Sequence, residues 1–266
     1  MTEQITRRSF FKTVGSATAV PVALGTPLLA IADATAMEPG DARAPPAAAA
    51  ATSAPAPAAA DTEAPLYLFF NAEEAAFIEA ACERLIPADE TGPGALEAWV
   101  PNYLDKQLGG AWGAGERLYR SGPWQAGTPS QGYQLPFTPA ELFHTALRAI
   151  NLHFASTGKT FAQGTAEEQD AYLKSLETGG ADLDGVPSGV FFDSLLKMTI
   201  EGYFSDPVYG GNRNMAAWKM IGFPGAYANY YDAIDRHGVK FERAPMSIGE
   251  DRHGHVHVDP NIPASL

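Results

Sequence analysis

The chain has 266 residues, 45% of them hydrophobic, and a formal net charge of −13 at neutral pH. That length suits one ordinary domain plus tails, with enough apolar residues to fill a core. The acidic balance excludes nucleic acid and anionic membrane surfaces as partners, because both demand a surplus of Lys and Arg. The single cysteine, Cys82, excludes an intramolecular disulfide. Its setting, Ala80-Ala81-Cys82-Glu83-Arg84-Leu85-Ile86, reads as a packed thiol on a buried helix face.

Residues 1–36 read as an export signal. Arg7 and Arg8 form the pair of a twin-arginine motif, an apolar run follows from Val14 to Ile31, and Ala34-Thr35-Ala36 fits a cleavage site. Left uncleaved, the same stretch is an N-terminal anchor. Elsewhere no run reaches the ~20 apolar residues of a membrane span. The twin-arginine translocase moves folded proteins, so a passenger without a cofactor motif suggests that the cofactor sits in a partner exported with it. Residues 37–65 are dominated by Ala and Pro. They are too poor in core-forming side chains to offset the entropy of ordering, and so read as a disordered linker. The folded domain is expected over residues 66–240, followed by an extended tail over 241–266.

Within that domain, Asn71-Ala72-Glu73-Glu74 is a capping box that opens a helix, and Pro87 closes it. A second helix is predicted over Ala95–Leu108, with Pro101 either kinking it or marking its true start. A short third one is predicted over Gly115–Tyr119. Residues 121–137 form a long loop whose aromatics, Trp124 and Tyr133, favour packing. Thr138-Pro139-Ala140-Glu141 starts a helix to Ser156, and Thr165-Ala166-Glu167-Glu168 starts one to Leu176. Further helices are predicted over Val186–Phe204, Asn214–Ile221 and Gly225–Asp235. No sustained period-2 alternation occurs, so the fold class is all-α: a compact multi-helix domain with long loops.

Few motifs suggest chemistry. Ser156-Thr157-Gly158-Lys159-Thr160 lacks the glycine spacing of a phosphate loop and follows a helix. Ser194 and Lys197 match Ser-x-x-Lys without its companion motifs. Glu141 and His144 have Glu-x-x-His spacing, but a di-iron bundle needs two such motifs and two more glutamates, so His144 reads as an ordinary helix residue. His253, His255 and His257 alternate and, in an extended segment, share a face that could hold Zn or Cu. A solvated tail shows the same pattern.

The densest stretch is Gly202 to Gly225. Ser205-Asp206-Pro207 stops a helix, because the residue before a proline leaves the α region. Gly210-Gly211-Asn212 can then take positive φ cheaply. Tyr209-Gly210-Gly211-Asn212, with Met215, Trp218 and Gly222-Phe223-Pro224, resembles the signature of the gluconate 2-dehydrogenase subunit 3 family. The early helix ending in Cys82-Glu83-Arg84-Leu85-Ile86-Pro87-Ala88 and the twin-arginine start agree with it. The resemblance covers roughly residues 67 to 225. It implies a small, non-catalytic subunit with no cofactor of its own. Its partner would be a large dehydrogenase subunit that carries FAD and oxidises gluconate or another sugar, with a cytochrome c subunit completing the complex. It implies a periplasmic location, held at the inner membrane through the complex, and a role in assembly and co-export of the flavoprotein. It also implies that Tyr209, Gly210, Gly211, Asn212 and Trp218 lie at the partner interface. The alternative reading is a free-standing periplasmic metal-binding protein or enzyme that uses the cluster from His253 to His257.

Overall fold

The computed structural model describes residues 65–125, 127–131, 134–226, 234–239 and 243–249. The export signal with Arg7 and Arg8, nearly all of the Ala/Pro linker, Tyr133, most of the helix expected over Gly225–Asp235, and the tail histidines lie outside them. Six α-helices occur among the described residues: α1 (Ala72–Leu85), α2 (Val100–Leu108), α3 (Pro139–Ser156), α4 (Ala166–Thr178), α5 (Ser188–Phe204) and α6 (Ala216–Ile221). No helix among them is long and apolar enough to cross a membrane.

The helix starts follow local chemistry. Asn71, Thr138 and Thr165 each cap a helix, and Glu74, Glu141 and Glu168 return the bond to the cap's backbone N–H, completing three capping boxes. Pro101 marks a start and makes no kink: α2 begins one residue before it, and the chain upstream folds as turns. The segment Gly115–Tyr119 is not a helix but a turn that ends at Arg117, since five residues cannot offset the cost of helix nucleation. In the long loop, Trp124 is exposed and does not pack into the core.

One strand pair departs from the all-α expectation. Asp182–Leu183 (β1) and Val186–Pro187 (β2) pair antiparallel around Asp184-Gly185, both at positive φ. An Asp-Gly pair with two positive φ angles is the turn that suits the right-handed twist of a hairpin. The hairpin takes the residues expected to begin the next helix, so α5 starts at Ser188. The fold is therefore mostly helical with one small hairpin.

Helix α1 lies at the centre, packed against α2, α3, α4 and α5, while α5 also packs on α2 and α4. Phe77 and Ile78 of α1 meet a core that includes Leu104, Phe143, Leu147, Phe161, Phe191 and Leu195. Cys82 is fully buried, its Sγ 3.6 Å from Thr199 Oγ1. Burial pushes its thiol up to about 12, so at neutral pH it stays protonated and packs as a small apolar group.

The chain leading into α1 is fastened from a distance. The buried Asp105 carboxylate on α2 accepts N–H bonds from Leu68, Phe69 and Phe70, each at 2.9 Å. Three charge-assisted bonds offset the desolvation of that carboxylate. Asp105→Ala leaves all three donors without it. The substitution is expected to destabilise the chain by about 3 kcal/mol, read as a lower urea midpoint with an unchanged slope.

Candidate functional site

The loop between α5 and α6 is more constrained than a helix connection requires. Helix α5 ends at Phe204, and Ser205 and Asp206 turn extended before Pro207. The Asp206 side chain caps the 3-10 turn Pro207–Tyr209 by accepting from the Val208 N–H at 3.0 Å. Gly210 then takes φ 95° and Asn212 takes φ 45°. A second 3-10 turn, Arg213–Met215, leads into α6 with Asn214 and Met215 also at positive φ. This displaces the start of α6 from the expected Asn214 to Ala216. Gly222, at φ 71°, closes α6.

Asn212 is the fully buried centre of the loop. Its Nδ2 donates to the Ser205 carbonyl at 2.9 Å, and its Oδ1 accepts from the Ala217 N–H at 2.9 Å. One side chain thus links the end of α5 to the first turn of α6. Its own carbonyl accepts from the Met215 N–H at 2.8 Å. Asn102 on α2 adds a bond from its Nδ2 to the Gly210 carbonyl at 2.8 Å. The Arg213 N–H donates to Ala98, and the Arg213 guanidinium lies 4.1 Å from the centre of the Trp99 ring. Trp99 is itself at positive φ. Four non-glycine residues in left-handed backbone, Trp99, Asn212, Asn214 and Met215, therefore meet at one place. Left-handed backbone costs an ordinary side chain such as Trp99 or Met215 roughly 1–2 kcal/mol, and asparagine less, and backbone strain of this kind gathers where the surroundings over-determine it, commonly at functional sites.

Of the five residues expected at an interface, most point inward. Trp218 is only 6% exposed, and its indole N–H donates to the Phe204 carbonyl at 2.8 Å. Gly210, Gly211 and Asn212 are buried. Tyr209, at 50% exposure, is the one that presents a side chain to the surface. Gly211 is needed for close approach, since positive φ in this loop is taken by its neighbours: a Cβ there would sit 2.2 Å from the Gly202 carbonyl oxygen.

The other sequence motifs resolve into local structure. Ser194 Oγ donates to the Val190 carbonyl within α5, and Lys197 pairs with Asp193. Ser156 Oγ donates to the His153 carbonyl at the end of α3. Glu141 and His144 do not act together, because Glu141 is engaged at its capping box. His144 Nδ1 instead sits 2.8 Å from Oε1 of the buried Glu74 on α1, and its ring stacks on Phe69 at 4.1 Å. Sequence spacing within α3 carries no trace of that pair, whose members are 70 positions apart. It borders an open groove of about 550 Å³ lined by Asn71, Glu73, Arg148 and Leu152. Among the described residues, no group of three or more His, Cys, Asp or Glu side chains could hold a metal ion.

Gly211→Ala is expected to lower the melting temperature by several degrees, because the Gly202 carbonyl must move to admit a methyl group. Asn212→Ala removes both side-chain bonds and adds left-handed strain, for a loss of about 3 kcal/mol. Thermal melts of the purified chain check both.

No match was found among curated proteins or among solved structures. The family model for gluconate 2-dehydrogenase subunit 3 matches residues 72–225, more than half of the chain, from the start of α1 to Gly225, three residues beyond the glycine that closes α6. The chain belongs to the gluconate 2-dehydrogenase subunit 3 family, the small subunits of a dehydrogenase complex.

Proposed function

We propose that this chain is the non-catalytic small subunit of a periplasmic, FAD-dependent gluconate or sugar dehydrogenase, and that it assists assembly and export of the flavoprotein. The observation that carries this reading is the α5–α6 loop. It lies within the family-matched residues, its backbone is held by buried bonds, and it keeps one large aromatic side chain, Tyr209, half-exposed on a rigid support. Rigid aromatic groups with a polar tip serve well as interface anchors, because little conformational freedom is lost on binding.

In this reading the flavoprotein binds FAD and oxidises the alcohol group of the sugar. A cytochrome c subunit passes the electrons on and holds the complex at the inner membrane. The small subunit supplies the twin-arginine signal, and the flavoprotein, folded and loaded with FAD in the cytoplasm, crosses the membrane with it.

Two experiments test this. Tyr209→Ala is expected to weaken association with the flavoprotein by about 2 kcal/mol, roughly 30-fold in Kd, while the isolated subunit melts near wild type. Unchanged affinity would move the interface away from this loop. Arg7→Lys together with Arg8→Lys is expected to leave both subunits in the cytoplasm, scored by fractionation and blotting. Normal export of the flavoprotein in that double variant would overturn co-export.

A further inference from the structure

A short segment beyond the family-matched residues is tied to the loop by polar bonds. The two oxygens of Asp206 accept from Ser247 Oγ at 2.5 Å and from the Ile248 N–H at 2.9 Å. The Ala226 N–H donates to the Met246 carbonyl at 2.7 Å, and the Met246 N–H donates to the Pro224 carbonyl at 3.2 Å. The Gly249 N–H closes the turn onto Ser247 Oγ at 3.0 Å. Gly225, at φ 79°, lies between this segment and Trp218. A Cβ there would sit 2.3 Å from the Met246 carbonyl oxygen and 2.9 Å from the Trp218 ring. The contact therefore runs from residues 246–248 through Gly225 to Trp218, and through Asp206 to the turn that carries Tyr209.

The mode of attachment sets how firmly it holds. None of the residues 243–249 belongs to the hydrophobic core, and Ile248 is 60% exposed. Among the described residues its ties to the loop are polar bonds, and a segment tied in this way, outside the apolar core, belongs to the part of a structure that can open separately from that core. We propose that residues 244–249 form a strap, latched on Asp206, that opens and closes over the α5–α6 loop without unfolding the helical core. Closed, it packs on Gly225, which in turn lies against Trp218, and it holds the Asp206 carboxylate in the geometry that caps Pro207–Tyr209. Open, it frees both oxygens of Asp206 and the backbone of residues 224–226, which lies against Trp218. This goes beyond the partner reading and does not depend on it, since the strap acts within the chain itself.

The test is amide hydrogen exchange on the full chain and two truncations. Ending the chain after Glu250 keeps the strap, and ending it after Arg243 removes it. Loss of the strap is expected to speed exchange in residues 206–221 about tenfold and leave α3 unchanged. The truncation after Glu250 should match the full chain. Ser247→Ala, a milder change, should give a smaller acceleration confined to the same residues. Asp206→Ala should speed the same peptide, and combined with the truncation after Arg243 it should give less than the product of the two single effects, because both remove the Asp206 latch. Unchanged exchange in 206–221 after removal of the strap would overturn the proposal. So would equal acceleration in α3, because the segment would then be part of the global fold.

Discussion

The α5–α6 loop is built around one buried amide. Asn212 takes a left-handed backbone that an ordinary side chain would resist, and its two side-chain bonds stand in for backbone partners that the turn cannot supply. Ser205 offers the carbonyl left over at the end of α5, and Ala217 offers an N–H left over at the start of α6. Helix ends leave such groups without intrahelical partners, and buried ones must be satisfied. Asparagine has one donor group and one acceptor on a short, planar side chain, and it tolerates left-handed φ better than other non-glycine residues. Aspartate, when ionised, has no donor for Ser205, and glycine has neither group.

Around this centre, long-range polar contacts do what the short helices cannot. Helix α6 has six residues, too few to be stable alone. It is held by Trp218, whose ring is buried and whose N–H reaches Phe204. The same logic appears at the other end of the domain. Leu68, Phe69 and Phe70 lie in irregular backbone, and Asp105 gathers their N–H groups at one carboxylate. Phe69 is then in place to stack on His144, which faces the buried Glu74. Glu74 serves twice, because its second oxygen accepts the Asn71 N–H of the capping box at 3.1 Å. The start of α1 and the surface of α3 are thus coupled through one side chain.

The helical core and the loop differ in what stabilises them. The core rests on apolar burial among α1, α3, α4 and α5. The loop rests on directional bonds to Asn102, Asp206, Asn212 and Trp218. Directional bonds specify one geometry more sharply than apolar contact does, since a small displacement breaks them. If the proposed partner docks on this loop, that rigidity leaves less ordering to be done on binding.

Much of this was legible in the residues. Three capping boxes and the prolines located the starts of α1, α3 and α4 and the end of α5, because those signals act within three or four positions of the chain. The Gly202–Gly225 stretch was legible as a dense turn, and its resemblance to the family signature agrees with the family match. The Asp184-Gly185 hairpin was also written in the sequence, yet period counting passes over strands of two residues. Other features depend on residues far apart in the chain. That Gly211 is needed for close approach to Gly202, that Trp218 points inward while Tyr209 points outward, that His144 meets Glu74 instead of Glu141, and that Asp206 holds Ser247 and Ile248 all follow from packing. Local propensity sets where a helix begins, because its bonds close within one turn. Which face of that helix is buried, and which polar atom answers which, depends on neighbours that only the folded chain brings together.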